Sequence, residues 1–207
     1  MRPIHCFEIH DSTPPAADTR LEHLSQKPSP RHRRGRPLHR THDRVRASLC
    51  LRGPGHGRRR ILHVEVTSGP TAVWLAQQLT EAFPWNSAPT FLVRDNDCLF
   101  SAKFRQRINA LGLRDRPVRP HSPWMNGHVE RLIGSIRREC TDHQLIWSQA
   151  HLRKVLQAYA HYYNNDRPHL ALDKDSPDSR SVETHGQVSA RSVLGGLHRR
   201  YYRTTPK

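Results

Sequence analysis

Residues 121–140 read HSPWMNGHVERLIGSIRREC, and this stretch decides the fold class of the chain. After a start rich in polar residues, apolar residues recur every three or four positions: Val129, Leu132, Ile133, Ile136 and Cys140. This spacing predicts a helix that buries one face against a core. On a period of about 3.6 residues, Glu130, Arg137 and Arg138 share another face with Gly134. The helix therefore presents one acid and two arginines away from the core.

The residues ahead of this helix predict a sheet. RRRILHVEV at residues 58–66 alternates as a strand does, with its apolar face formed by Leu62, Val64 and Val66, opposite Ile61, His63 and Glu65. PTFLVRD at residues 89–95 is short and apolar, which predicts a buried strand that ends in charge at Asp95. RDRPVRPHSPW at residues 114–124 is interrupted by prolines, so we expect a short edge strand or a loop there.

Helical spacing recurs in three further segments, each with its apolar residues on one face. These are Ala72, Leu75, Ala76, Leu79, Ala82 and Phe83 in the first, Phe104, Ile108 and Leu111 in the second, and Leu152, Val155, Leu156, Tyr159 and Tyr163 in the third. Gly112 is expected to end the second of these helices, because glycine adopts the left-handed conformation there most easily. The order strand, helix, strand, helix, then more helices predicts an α/β protein whose mixed sheet is flanked by helices.

Composition divides the chain into three parts. Residues 1–57 are dense in Arg, His, Pro and Gly without a sustained period, and a short helix over residues 44–51 is the one element considered there. We expect this segment to be a disordered basic arm, because it offers little apolar surface to offset its chain entropy. Residues 58–177 form the expected core, and residues 178–207 return to a polar, basic tail that is also expected to be disordered.

The formal net charge of +16 points to a polyanionic partner. Nucleic acid is the first candidate and an anionic membrane surface the second. No apolar run approaches the roughly 20 residues that a membrane span requires, and the N-terminus lacks the apolar stretch of a secretion signal. We therefore expect a soluble, cytoplasmic protein that binds DNA and no membrane. The four cysteines contain no C-x-x-C pair, which argues against a zinc finger.

Two carboxylates stand where a metal ion could be held. Asp95 closes a predicted strand, a position from which side chains project into the crevice at the end of a sheet. Glu130 follows after 34 intervening residues, early in the quoted helix. Magnesium favours oxygen ligands and usually takes only one or two protein carboxylates, and arginines one or two turns along would contact the DNA backbone. The alternative is an ordinary surface acid that pairs with a neighbouring arginine.

Three local patterns resemble the integrase core of bacterial insertion-sequence transposases, the DDE family with a ribonuclease-H-like fold. RDNDCLFSAKF at residues 94–104 resembles the family's second-aspartate motif. SPWMNGHVERLIGSIRREC resembles its glutamate helix, with Asn126 before the acid and the arginine pair after it. YYNNDRPHLAL at residues 162–172, followed by Pro177, resembles its closing segment. The three patterns occur in the family's order and at separations close to the usual ones.

This resemblance implies a ribonuclease-H-like fold and a metal-dependent reaction on DNA. Two Mg²⁺ (or Mn²⁺) ions, held by three carboxylates, would activate water and later a 3′-hydroxyl for attack on a phosphodiester. Asp95 and Glu130 match two of the catalytic, metal-binding acids, and four residues match or extend the DNA-binding surface: Asn126, Arg131, Arg137 and Arg138. The implied partners are element-end and target DNA, with a homo-oligomer or a separate DNA-recognition subunit.

The first acid of the family's triad has no match in this sequence. Counting back from the strand at residues 58–66 reaches residues 35–38, which hold no acid, and Asp43 and Asp97 are the nearest spare carboxylates. The first strand of the core is therefore expected to be missing. Residues before about 55 would be a frameshift product or remnant, or else a genuine DNA-binding arm; the upstream reading frames distinguish these. An active transposase core, a DNA-binding remnant without chemistry and a misfolded pseudogene product all stay open.

Overall fold

Five strands form one sheet in this computed structural model, which describes residues 5–10, 46–53, 60–83, 89–96, 99–119 and 127–204, the first two ranges through their backbone. The strands are β1 (His5–His10), β2 (Arg46–Gly53), β3 (Arg60–Thr67), β4 (Phe91–Arg94) and β5 (Arg114–Pro117). Their order across the sheet is β3-β2-β1-β4-β5. The β2–β3 and β1–β4 pairs are antiparallel, whereas β1–β2 and β4–β5 are parallel. The predicted mixed α/β sheet is therefore confirmed.

Four helices cover this sheet in two groups. They are α1 (Ala72–Ala82), α2 (Ala102–Ala110), α3 (Gly127–Glu139) and α4 (Gln149–Asn165). One core cluster joins α1 and α2 to β4 through Leu75, Leu79, Leu92, Phe104 and Ile108. The other joins α3 and α4 to β3 through Val64, Val66, Val129, Leu132, Ile136, Leu156 and Tyr159. The apolar faces that the sequence predicts for α3 and α4 are thus the faces that pack on the sheet.

The predicted boundaries near β4 and β5 are also confirmed. All four residues of β4 are buried, as expected for a short apolar strand. After α2 the chain turns through Gly112, whose φ of 75° lies in the left-handed region. The proline-rich segment that follows begins as the edge strand β5. Among the described residues, no helix is both long and apolar enough to cross a membrane.

Two strands occur where the sequence analysis expected none. The expectation that residues 1–57 lack a core strand is wrong for β1 and β2, and residues 46–53 are a strand where a short helix was considered. The physical reason is local alternation: Phe7 and Ile9 alternate with polar residues in β1, and Leu49 and Leu51 do so in β2. The average composition of a long segment conceals strands of six and eight residues. The boundaries of the three proposed segments stay predictions.

Strand β3 is irregular, which changes one predicted face. The β2–β3 register shifts between Cys50 and Leu51, so that Cys50 pairs with His63 and Leu51 pairs with Ile61. Such a bulge places an extra residue, here Leu62, in one strand. Ile61 therefore joins the α3–α4 core cluster, and Leu62 is only half-buried. The prediction that Ile61 faces away from Val64 is wrong for this reason.

The C-terminal segment also contains ordered structure. The strands β6 (Gln187–Val193) and β7 (His198–Thr204) form an antiparallel two-stranded sheet, joined by a tight turn at Leu194–Gly196. The expectation of a disordered basic tail is wrong for these residues. Gly195 and Gly196 both have positive φ angles, of 69° and 96°, which lets the chain reverse within the four residues that connect β6 to β7. The available sequence signals were the alternation of Val188 and Ala190 with polar residues in QVSARSV and the strand-favouring tyrosines of HRRYYRT.

Helix α4 lies along the outer edge of β3. Near one end of the strand, Asn164 accepts from the Ile61 N–H (2.9 Å) and donates to the Ile61 carbonyl (2.8 Å). Near the other end, the side chains of Gln149 (2.7 Å) and Arg153 (3.3 Å) donate to the Val66 carbonyl. These bonds satisfy backbone groups that an edge strand otherwise leaves without a partner strand. The position of α4, and through it of α3, is therefore fixed to the sheet by polar as well as apolar contacts.

Candidate active site

Asp95 follows the last residue of β4 and is exposed. Its neighbour Val93 aligns across the ladder with Glu8, Leu51 and Ile61. Residues paired across a ladder share a face of the sheet, and Ile61 belongs to the cluster that α3 and α4 cover. Since side chains alternate along a strand, Asp95 continues the face of Val93 if the pleat extends one residue past β4. Val93 thus marks the side of the sheet that α3 and α4 cover, two residues before Asp95.

A buried ion pair fixes the strand end that carries Asp95. The Arg94 side chain, 4% exposed, donates from Nε (2.9 Å) and Nη2 (2.7 Å) to the two carboxylate oxygens of Asp115 on β5. Its Nη1 donates to the backbone carbonyl of Asp95 at 2.9 Å. The guanidinium also lies over the Phe100 ring, 4.6 Å from the centroid. Bidentate pairs of this kind hold both partners in one geometry, so Arg94 positions the backbone at Asp95.

Glu130 lies in the first turn of α3 and is exposed. A carboxylate is stabilised there by the helix dipole. Among the described residues, its side chain makes no hydrogen bond or ion pair, so the alternative of an ordinary surface ion pair is not seen. Arg137 is seven residues further along the same helix, or about 10.5 Å at 1.5 Å per residue, which is too far for a direct bond.

The DNA-binding residues predicted on α3 are exposed in the structure, whereas Asn126 lies outside the described residues. Arg131, Arg137 and Arg138 all reach solvent. The Arg138 side chain folds back over Gly134, where an added Cβ would lie 3.0 Å from Nη1. The space beside Gly134 is therefore occupied by the Arg138 side chain.

Two arginines of β5 were missed by the sequence analysis. Arg114 and Arg116 are exposed and pair in register with Phe91 and Val93. They therefore stand on the same face of the sheet as Val93, and their guanidinium groups lie 5.7 and 5.5 Å from the centre of the Phe91 ring. The sequence sign of this pair is the alternation in RDRP at residues 114–117, where Arg114 and Arg116 flank Asp115. The Asp115 side chain bonds to Arg94 instead. This pair extends the positive surface towards the strand end.

The carboxyl end of α3 is held by a network around Glu139. Arg167 donates to Glu139 from Nε (2.7 Å) and Nη2 (2.6 Å), and the Tyr159 hydroxyl donates at 2.9 Å. Burial raises the pKa of Glu139, but these hydrogen bonds outweigh it, so its pKa lies below the ordinary value. Burial lowers the pKa of His169, which contacts Arg167 at 3.2 Å. These contacts fasten the loop after α4 to the end of α3 through Arg167.

Oxygen ligands for a cation come from few side chains here. Among the residues whose side chains are described, no three His, Cys, Asp or Glu groups come together as a metal site. Asp95 and Glu130 have the carboxylate chemistry that Mg²⁺ prefers. On β1, Glu8 holds the register position opposite Val93, two positions before Asp95. Residues 35–38, where the first acid of the triad was expected, lie outside the described residues, as do Asp43 and Asp97.

Part of this arrangement lies in a segment that is similar to a known protein family. Residues 111–177 match the integrase core domain family, a segment that runs from the end of α2 through β5, α3 and α4 to the loop beyond. The matched segment is about a third of the chain, and over it the chain is similar to the integrase core domain. Glu130 and the three arginines of α3 lie inside the matched part of the integrase core domain, whereas Asp95 lies ahead of it.

A curated relative and a solved structure are similar to longer parts of the chain. The insertion element IS407 uncharacterized 31.7 kDa protein of Burkholderia multivorans is 26% identical over 135 residues, which are 65% of this chain and 49% of that protein. The chain thus spans about half the length of this relative. A chain in the cryoEM structure of the simian T-cell lymphotropic virus intasome with PP2A regulatory subunit B56 gamma is 15% identical, with a TM-score of 0.46, over 72% of this chain and 58% of that one.

Proposed function

We propose that this protein is a transposase core that cuts DNA and joins it to a target, with Asp95 and Glu130 as its metal-binding acids. The observation that carries the proposal is the exposure of two carboxylates, Asp95 just past the end of β4 and Glu130 in the first turn of α3. Glu130 lies within the integrase core match. The reaction class is cleavage and transfer of a phosphodiester in DNA integration or transposition.

The chain's own groups have distinct tasks in this reaction. Asp95 and Glu130 would hold Mg²⁺ or Mn²⁺, which when bound activates an attacking hydroxyl and stabilises charge on the phosphate. Arg131, Arg137 and Arg138 bind the phosphates of the DNA that passes along α3. Arg94 keeps the Asp95 backbone in place through its bonds to Asp115. Fixing the acid before substrate arrives lowers the cost of reaching the reactive geometry.

Whether a third acid completes the metal site with Asp95 and Glu130 distinguishes this function from a second candidate. The second candidate is a DNA-binding remnant of a transposase without chemistry, because residues 35–38, where the first acid of the triad is expected, contain no acid. Glu8 on β1 is the acid whose register position would complete the site. If Glu8 completes the metal site, the protein is an enzyme. If no acid completes it, the protein binds DNA without cleaving it.

The test is metal-dependent nicking of DNA that carries the element ends. The parent protein is compared with Asp95→Asn, Glu130→Gln and Glu8→Gln in Mg²⁺ or Mn²⁺. Matched controls are Asp142→Asn and Glu81→Gln, two exposed acids on other elements. We expect Asp95→Asn and Glu130→Gln to lose nicking and both control variants to keep it. A parent without activity, or residual activity equal in all variants, contradicts the enzyme and leaves the DNA-binding remnant.

The partners follow from the same proposal. DNA binding is expected from the charge of +16 and from the exposed arginines of α3 and β5. The ends of the element and its target would be brought together by a homo-oligomer or by a separate DNA-recognition subunit. A cytoplasmic location, where bacterial DNA is accessible, belongs to this proposal.

A further inference from the structure

The β6–β7 hairpin is fastened to the core by one of its faces. His198 Nε2 donates to the Glu139 carbonyl at 2.7 Å, and its ring stacks on Tyr162 at 4.3 Å with an angle of 8° between the planes. Arg200 Nε lies 3.2 Å from a carboxylate oxygen of Asp166, whose side chain is only 1% exposed. These contacts hold the hairpin in a set orientation on the ends of α3 and α4.

The opposite face of the hairpin is basic and carries an aromatic ring. Because side chains alternate along a strand, Arg199, Tyr201 and Arg203 lie on the face away from the core, and all three are exposed. Tyr201 is 59% exposed. Residues 187–204 contain four arginines and no acid. A positive strand with a central aromatic ring is complementary to nucleic acid, in which phosphates alternate with flat bases.

A cleft beside Tyr201 offers room for a base. It encloses about 710 Å³ between the hairpin and residues 172–183, and Tyr201 forms part of its wall. Charged groups of both signs line it: Asp173, Asp175 and Glu183, with Lys174, Arg180 and Arg203. The carboxylates disfavour a phosphate inside the cleft. An uncharged base, which presents hydrogen-bond donors and acceptors on its edge, suits this lining better.

We propose that this face binds a single-stranded segment of DNA, with one base stacked on Tyr201 at the cleft and the adjoining phosphate on Arg199. A strand rises about 3.3 Å per residue, so these two residues are about 6.6 Å apart along β7. Arg203 also lines the cleft, and its Nη1 donates to the Gly186 carbonyl at 2.8 Å. The occupant is single-stranded because a base must leave its duplex stack before it can stack on a side chain. This inference deepens the proposed function, since cleavage and joining of DNA expose unpaired strand ends.

The experiment measures binding of a fluorescent poly(dT) oligonucleotide to the full chain by anisotropy. Tyr201→Ala should weaken binding about 10-fold or more, whereas Tyr201→Phe, which keeps the ring, should stay within about 2-fold of the parent. Trp147→Ala is the matched control, because Trp147 is an exposed aromatic residue (77%) on another part of the surface. Circular dichroism melting checks that all variants fold. Equal affinities for the parent and Tyr201→Ala would overturn the proposal.

Two further arms distinguish base stacking from duplex binding and from self-association. Tyr201→Ala should reduce the affinity for a blunt duplex of the same length less than it reduces the affinity for the single-stranded oligonucleotide. An equal reduction for both would overturn base stacking. If Tyr201 instead packs against a second copy, sedimentation will show a lower mass for Tyr201→Ala with unchanged oligonucleotide binding, which also overturns the proposal. Asp95→Asn should bind the oligonucleotide as the parent does while it loses nicking, so the outcome for the hairpin is independent of the outcome for the reaction.

Discussion

Because of the bonds between Asn164 and Ile61, we expect one substitution, Asn164→Ala, to lower the free energy of unfolding by a large amount. Asn164 is 7% exposed, and its amide accepts from the Ile61 N–H and donates to the Ile61 carbonyl. Asn164→Ala removes both partners and leaves a buried donor and a buried acceptor unsatisfied. Each such group costs about 1–3 kcal/mol, so the free energy of unfolding should fall by about 2–6 kcal/mol.

Urea unfolding followed by circular dichroism measures this loss through the transition midpoint and slope. The matched control is Asn165→Ala, because the next residue is the same amide but bonds only within its own helix, to His161. We expect the control to lose less than about 0.5 kcal/mol, as substitutions at such sites usually do. If the two variants lose the same stability, the bonds to Ile61 do not hold α4 to β3.

The other predictions concern pH, a thiol and salt. Because the pKa of His169 is lowered from 6.5 and that of Glu139 from 4.5, both groups stabilise the folded chain above those values, and this stability is lost as the pH falls below each in turn. Urea midpoints should therefore decline from about pH 6.5 downwards in the parent, whereas in His169→Gln the decline should begin only near 4.5; identical profiles would contradict this. Burial raises the pKa of Cys140 to about 11 from 9.0, so mass mapping at pH 8 should show its labelling by a thiol reagent to be roughly 100-fold faster in urea, and rapid labelling in the folded chain would refute the burial. The affinity for duplex DNA should fall with salt with a log–log slope of about −0.9 per phosphate neutralised, and a flat titration would remove the electrostatic argument.

The sequence predicted the elements that bury a regular stripe of apolar residues. The 3.6-residue period of Val129, Leu132 and Ile136 gave the face of α3 that packs on the sheet, and a similar period gave α4. The position of Glu130 on the exposed side of α3 followed from the same period. Local patterns of this kind depend on neighbours three or four residues away, which a sequence displays directly.

Features that depend on distant partners were not predictable in this way. The bulge that turns Ile61 into the core arises from its register with β2, and the sequence of β3 alone contains no sign of it. In the sequence, Arg94 is a charged residue at the end of an apolar strand, a position that suggests exposure. It is buried in the structure because Asp115 and Phe100 surround it. The convergence of Asp95 and Glu130 on one cation is likewise a long-range property, and it stays a prediction.

Because α4 covers the outer edge of β3, this strand edge is exposed during synthesis of the chain on the ribosome. The two residues joined by the Asn164–Ile61 bonds are 103 positions apart in the sequence. Ribosomes add about 5–20 residues per second, so β3 waits roughly 5–20 s after its own synthesis before the helix that covers its edge exists. During that interval its outer N–H and C=O groups are open to another nascent chain. Slower translation between residues 61 and 164 would lengthen this interval, and faster translation or a chaperone bound to the emerging strand would protect it.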